Sequence, residues 1–185
     1  MKAVLGFLLA VCVAACSLPG PREPDRYFLL DAGLAQEAKP RTAVAVTPTS
    51  ASSFYDTQEI AFSRAPGTRA YYQFNRWTDR PQRAIHAQLA SRFEAGGAKS
   101  PLRLDTHLEE IYHDASEQPG TARITIAAEL ADSASRAVLA RRTFTRSAPA
   151  ASYDAPGAVR GFNQALAALL GDIEGWVEAE SRRPR

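Results

Sequence analysis

The residues best equipped for chemistry lie close together: Asp105, His107 and Glu109 alternate along one segment. On a strand the three would point to one side, with neighbours about 7 Å apart. That spacing holds a metal ion only with ligands from elsewhere, and a solvated charged face accounts for it more simply. His113 would extend the same side, but six residues from His107 is about 20 Å, beyond shared coordination. Glu109 and Glu110 are adjacent, so a strand sends them to opposite faces and they form no acid–base pair. Gly97-Ala98-Lys99-Ser100 lacks the glycines of a phosphate loop and follows a helix instead of a strand, which excludes a transporter's ATPase. The chain has neither a G-x-S-x-G nucleophile turn nor an H-E-x-x-H zinc pair. The expectation is therefore a chain with no catalytic residue, no cofactor and no metal.

The two cysteines point the same way. Lys2 precedes an apolar run from Ala3 to Val13, the length of a signal-peptide core and well short of the roughly 20 residues that span a bilayer. Val13-Ala14-Ala15-Cys16 resembles a bacterial lipobox, in which the cysteine is acylated and becomes the first mature residue. Cys12 then leaves with the leader and Cys16 carries lipid, so no thiol remains for a disulfide, a metal or a thiol enzyme. Ser17 after that cysteine points to the outer membrane. Residues 1–15 are thus read as a lipoprotein leader and 16–25 as the lipidated cysteine with a proline-rich tether. Residues 26–180 form one folded domain, and 181–185 a basic tail. With 45% hydrophobic and 23% charged residues, the composition suits a folded globular body. A net charge of +2, scattered along the chain, gives no basic face for nucleic acid.

The elements that position these groups follow from periodicity. Strands are expected at Arg26 to Asp31, Thr42 to Thr47, Gln58 to Ser63 and Thr68 to Trp77, with Ser50 to Ser53 as loop. A meander follows: Leu102 to His113, Thr121 to Ala131 and Ala137 to Arg146. Leu102, Leu104, Leu108 and Tyr112 fall on one face of its first strand. Arg103, Asp105, His107, Glu109 and His113 fall on the other, with Ile111 out of pattern among them. One buried and one wet face is the mark of an antiparallel sheet. Asp154 is placed to cap a last helix, with Pro156 in its first turn. Val159, Phe162, Leu166, Leu169, Ile173 and Trp176 then make an apolar stripe that packs on the sheet. The fold class is α+β: an antiparallel sheet of about five or six strands with two amphipathic helices on one face.

One stretch organises the rest. Tyr71, Tyr72, Phe74 and Trp77 crowd a strand that turns at Thr78-Asp79-Arg80-Pro81 into a helix with Ile85, Leu89 and Phe93 on one stripe, stopped by Gly96-Gly97. Strict alternation puts Tyr72 with Phe74 and Tyr71 with Trp77. Aromatics on both faces mean a strand covered on both sides, or one that presents a set to a partner. An aromatic strand ending in Arg76-Trp77, then an acid, Pro81 and an amphipathic helix resembles the ABC-type transport auxiliary lipoproteins, the PqiC-like family. Tyr27-Phe28-Leu29-Leu30 soon after the lipidated cysteine, and Tyr55 to Phe62 before the aromatic strand, are similar to that family too.

The resemblance implies an outer-membrane lipoprotein without catalysis. Its partners would be an ABC permease and ATPase and a membrane-bound MCE-domain substrate-binding protein, its cargo lipid moved between the two membranes, and its own contact with the membrane the N-terminal lipid. Self-association into a homo-oligomer stays open. Two other readings stand beside it: a structural envelope lipoprotein that binds another assembly, and a lipid-anchored hydrolase in which distant Ser, His and Asp meet in a deep pocket.

Overall fold

The computed structural model describes residues 23–33, 42–93 and 100–183. The leader, Cys16, most of the tether, the Gly96-Gly97 stop and the last two residues of the tail lie outside them. Ten main elements follow in order: β1 (Arg26–Phe28), β2 (Val44–Val46), β3 (Ser50–Ala51), β4 (Glu59–Ser63), β5 (Ala70–Trp77), α1 (Pro81–Phe93), β6 (Leu102–Asp114), β7 (Thr121–Asp132), β8 (Val138–Pro149) and α2 (Ala155–Ser181). A 3-10 turn, Ser53–Tyr55, joins β3 to β4.

The strands form one sheet in the order β1-β5-β4-β6-β7-β8, with β2 and β3 also on β6. Among the described residues eight strands thus replace the expected five or six, and the sheet is mixed instead of antiparallel. β6 through β8 form the expected antiparallel meander. The other edge of β6 takes β2, β3 and β4 one after another, all parallel to it: Val44 opposite Leu102, Ser50 opposite His107, Phe62 opposite His113. β1 adds in parallel to β5 at the far edge. Alternation of apolar residues identifies a strand but carries no information about its neighbour or direction.

A bulge corrects the face assignment on β6. The ladder with β7 shifts register between Leu108 and Glu110, so Glu109 is the extra residue. Parity reverses there. Ile111 rejoins the buried face opposite Ile124, and His113 goes with it, 0% exposed and opposite the buried Ala122. His113 is not on the wet face with His107, and Ile111 is not an exception.

α2 buries the predicted stripe, from Val159 through Phe162, Leu166, Leu169 and Ile173 to Trp176. Its first turn is capped as expected: the Asp154 carboxylate accepts a 2.8 Å hydrogen bond from the Gly157 N–H. α1 buries Ile85, Leu89 and Phe93, and its Arg92 reaches Glu174 of α2 at 2.9 Å, so the helices are linked to each other. Gln88 of α1 holds the chain after β1, donating to the Leu30 carbonyl and accepting from the Ala32 N–H.

α2 lies unusually close to the sheet at Gly161. A β-carbon there would stand 2.8 Å from the Ala122 β-carbon and 2.9 Å from the Pro149 carbonyl oxygen. Gly161→Ala gains up to about 1 kcal/mol in helix propensity and loses about 1–3 kcal/mol to overpacking. A net loss of stability is expected, read as a lower urea midpoint. A higher midpoint would show that the helix can back away.

Candidate functional site

The face of the sheet away from the helices carries a groove of about 650 Å³. Strand alternation and cross-strand register build it. Arg103, Asp105 and His107 come from β6, Glu129 from β7, and Arg141 with Thr143 from β8. Arg103 binds Asp105 at 2.8 Å and Arg141 binds Glu129 at 2.6 Å, so charges inside the groove are largely matched. The segment through β3 forms one wall. Thr47 donates to Asp105 at 2.7 Å, Ser50 Oγ lies 2.8 Å from His107 Nδ1, and Ser52 Oγ lies 3.2 Å from His107 Nε2.

Serine, histidine and aspartate thus converge, but not as a triad. A catalytic imidazole needs one nitrogen on the nucleophile and the other on a carboxylate that stabilises the imidazolium. Both nitrogens of His107 meet hydroxyls, and Asp105 is engaged by Thr47 and Arg103. The arrangement clips the β3 segment onto β6. Glu109, the third member of the expected charged row, is the bulge residue. Among the described residues, no group of three His, Cys, Asp or Glu is gathered as a metal site.

The aromatic strand divides otherwise than alternation suggests. In the β4–β5 ladder Ile60 alone stands between Glu59 opposite Arg76 and Ala61 opposite Tyr71, so β5 bows and its alternation breaks. Trp77 is 1% exposed and packs edge-on against Phe162 of α2, ring centroids 5.6 Å apart. Tyr71 instead stacks on Phe54 of the 3-10 turn at 4.5 Å and donates to the Phe54 carbonyl. Tyr71 and Trp77 therefore have different partners and do not share a face. Tyr72 packs on Phe62, and Phe74 is half-buried. Beside this group Arg69 lies 3.6 Å over the Tyr112 ring and reaches both Tyr55 and Glu110.

Tyr72 also reaches His113. The Pro119 carbonyl can only accept, so His113 Nε2 carries its proton there at 3.0 Å, and Nδ1 accepts from the Tyr72 hydroxyl at 2.7 Å. Burial pushes the Tyr72 phenol up to about 12, which keeps it a donor. Tyr153 covers the histidine edge-on, and Asp114 and Asp154 are the nearby carboxylates. Burial lowers the His113 pKa from 6.5 in spite of the Pro119 bond and both carboxylates.

The folded chain therefore binds this proton less readily than the unfolded chain. The stability due to neutral His113 is complete above the unfolded value near 6.5 and is lost as pH falls below it. Asp114 and Asp154 are held below the usual carboxylate range, first by hydrogen bonds from Ser116 and Ser152, and add a separate loss below 3.8. Urea midpoints should fall between about pH 7.5 and about pH 5.5, and His113→Gln should flatten that interval. An equal slope in the variant would assign the effect elsewhere.

The family model for the ABC-type transport auxiliary lipoprotein component matches residues 28–174, spanning β1 to α2 except for their outer ends. The chain belongs to this family. Protein XCC0632 from Xanthomonas campestris, of the DUF330 family, shares the fold at 23% identity, with a TM-score of 0.75 over 85% of this chain and 97% of that one. The crystal structure of an uncharacterized protein agrees at 12% identity, with a TM-score of 0.67 over 84% and 99%. No curated protein matches the sequence. At these identities the likeness establishes the fold alone. An auxiliary lipoprotein of this kind is associated with an ABC transport system, and among the described residues no helix is long and apolar enough to cross a membrane.

In this auxiliary lipoprotein the groove unites residues that the sequence gives no reason to connect. Ser50 and Ser52 read as loop, and Glu129 and Arg141 fall in separate expected strands.

Proposed function

We propose that the protein is an outer-membrane lipoprotein and a non-catalytic docking component of an ABC transport system of the MCE type. Residues 1–15 are its leader, Cys16 with 17–25 its lipid anchor and tether, 26–180 its folded domain and 181–185 a short basic tail. It works with an MCE-domain substrate-binding protein, a permease and an ATPase, and the cargo is lipid moved between the inner and outer membranes. The observation that carries the reading is the family match over residues 28–174. The hydroxyl-clipped His107 supports it, since a histidine without a carboxylate partner is a poor centre for hydrolysis. Of the aromatic set, Tyr71, Tyr72 and Phe74 keep part of their surface for a partner, while Trp77 serves the core.

A pull-down of the full-length lipoprotein from detergent-solubilised membranes tests this. Recovery of MCE-domain or permease subunits is the expected result. Recovery of a different envelope assembly without them would favour a structural lipoprotein instead.

A further inference from the structure

β8 ends the sheet, and among the described residues no strand lies on its outer edge. It is twelve residues long, in contrast to the three of β1 at the opposite edge. A long free edge is a row of unpaired N–H and C=O groups that accepts another strand unless something prevents it. β8 carries Arg141, Arg142 and Arg146 and no acid. Arg142 has no carboxylate partner among the described residues and lies over the Phe144 ring, 5.1 Å from its centroid. Arg141 and Arg146 are already paired with Glu129 and Asp172, yet their side chains are 72% and 49% exposed and a guanidinium has donors to spare.

This pattern selects its occupant. In a two-fold antiparallel pairing of β8 with a second copy, centring on Phe144 sets Arg142 against Arg146. Centring between Thr143 and Phe144 sets Arg141 against Arg146. Like charges directly opposed destabilise a strand pair, so these two registers disfavour a second copy. An acidic strand is favoured at the same positions. On the helix side Arg142, Phe144 and Arg146 follow one another at alternate residues, so acids four apart on an incoming strand would meet both arginines.

We propose that the free edge of β8 is a docking surface, and that its occupant is an extended acidic segment of a partner protein, added as a further strand of the sheet. The inference rests on the reading of this protein as a docking component and names where and by what chemistry docking occurs.

The test places a photoreactive benzoylphenylalanine at Thr143 or Thr145 on the exposed side of β8, in the full-length lipoprotein in its own membrane. Gln164 and Ala168 on the exposed side of α2 are the comparison positions. The expected result is an adduct from β8 but not from α2, mapping to a segment with acids four residues apart. Arg142→Glu, with an unchanged urea midpoint, should lower the yield about tenfold, and Arg142→Lys should retain it. Adducts with a second copy of this chain, adducts from α2 alone, or a yield indifferent to Arg142→Glu would each overturn the proposal. If the pull-down recovers transport subunits and β8 gives no adduct, strand addition fails while the docking role stands. If neither appears, both fail.

Discussion

Trp77→Ala should remove about 3–5 kcal/mol of folding stability, the loss usual when a buried tryptophan or phenylalanine is cut to alanine. Trp77 is 1% exposed and its ring meets Phe162 of α2 edge-on at 5.6 Å. It closes β5 against the long helix, so its removal opens a cavity between the two layers that neither backbone can easily fill. Domains of this kind are stable by roughly 5–15 kcal/mol, so the loss is a large share of the total. Urea unfolding should show a much lower midpoint, with Trp77→Phe keeping most of the stability. Tyr71→Ala should cost less, because Tyr71 is only half-buried. A loss below about 1 kcal/mol for Trp77→Ala would mean that the ring is kept for another purpose.

Removing the acyl site should have the largest effect on location. Each buried methylene of a lipid chain contributes about 0.8 kcal/mol, and more than one chain makes attachment stable. Without Cys16 the apolar run of residues 3–13 is the main hydrophobic segment before the domain, and it is too short to span a bilayer. Wild-type protein should incorporate labelled palmitate and fractionate with outer membranes. Cys16→Ala should take up no label and leave that fraction. A form starting at Ser17 behind an ordinary cleavable leader should be found almost wholly in the soluble periplasmic fraction. Unlabelled wild-type protein, and a Cys16→Ala form that fractionates like it, would remove the anchor from the account.

The elements that declare themselves by periodicity were legible. The stripe from Val159 to Trp176, the cap at Asp154 and the meander of β6, β7 and β8 can be read from spacing because one buried face imposes it. β2 and β4 were legible as strands, but their parallel pairing on β6, and β3 itself, could not be read. Ser50–Ala51 contains no apolar alternation, and its pairing with His107–Leu108 is decided by a neighbour distant in sequence. The bulge left one trace: Ile111 stood out of pattern in a wet register, and the extra residue at Glu109 explains it. The same bulge turns His113 away from the wet face that simple alternation gives it. The candidate groove was half visible, since Arg103, Asp105 and His107 share a face by simple alternation. Its other half comes from Ser50, Ser52, Glu129 and Arg141, which only the tertiary register brings there.

The succession of β2, β3 and β4 along one edge of β6 also sets the order in which this molecule can be made. Thr47 finds its partner, Leu104, 57 positions later in the chain. When the ribosome has finished the first hundred residues, β4 already has β5 to pair with, but β2 and β3 exist with no ladder to join. They are seated only once β6 has been synthesised, and α2, which covers β7 and β8, comes last of all. Contacts so remote in sequence form slowly, because the loop between them must close first. The place of β2 and β3 in the sheet is therefore decided by a strand made afterwards.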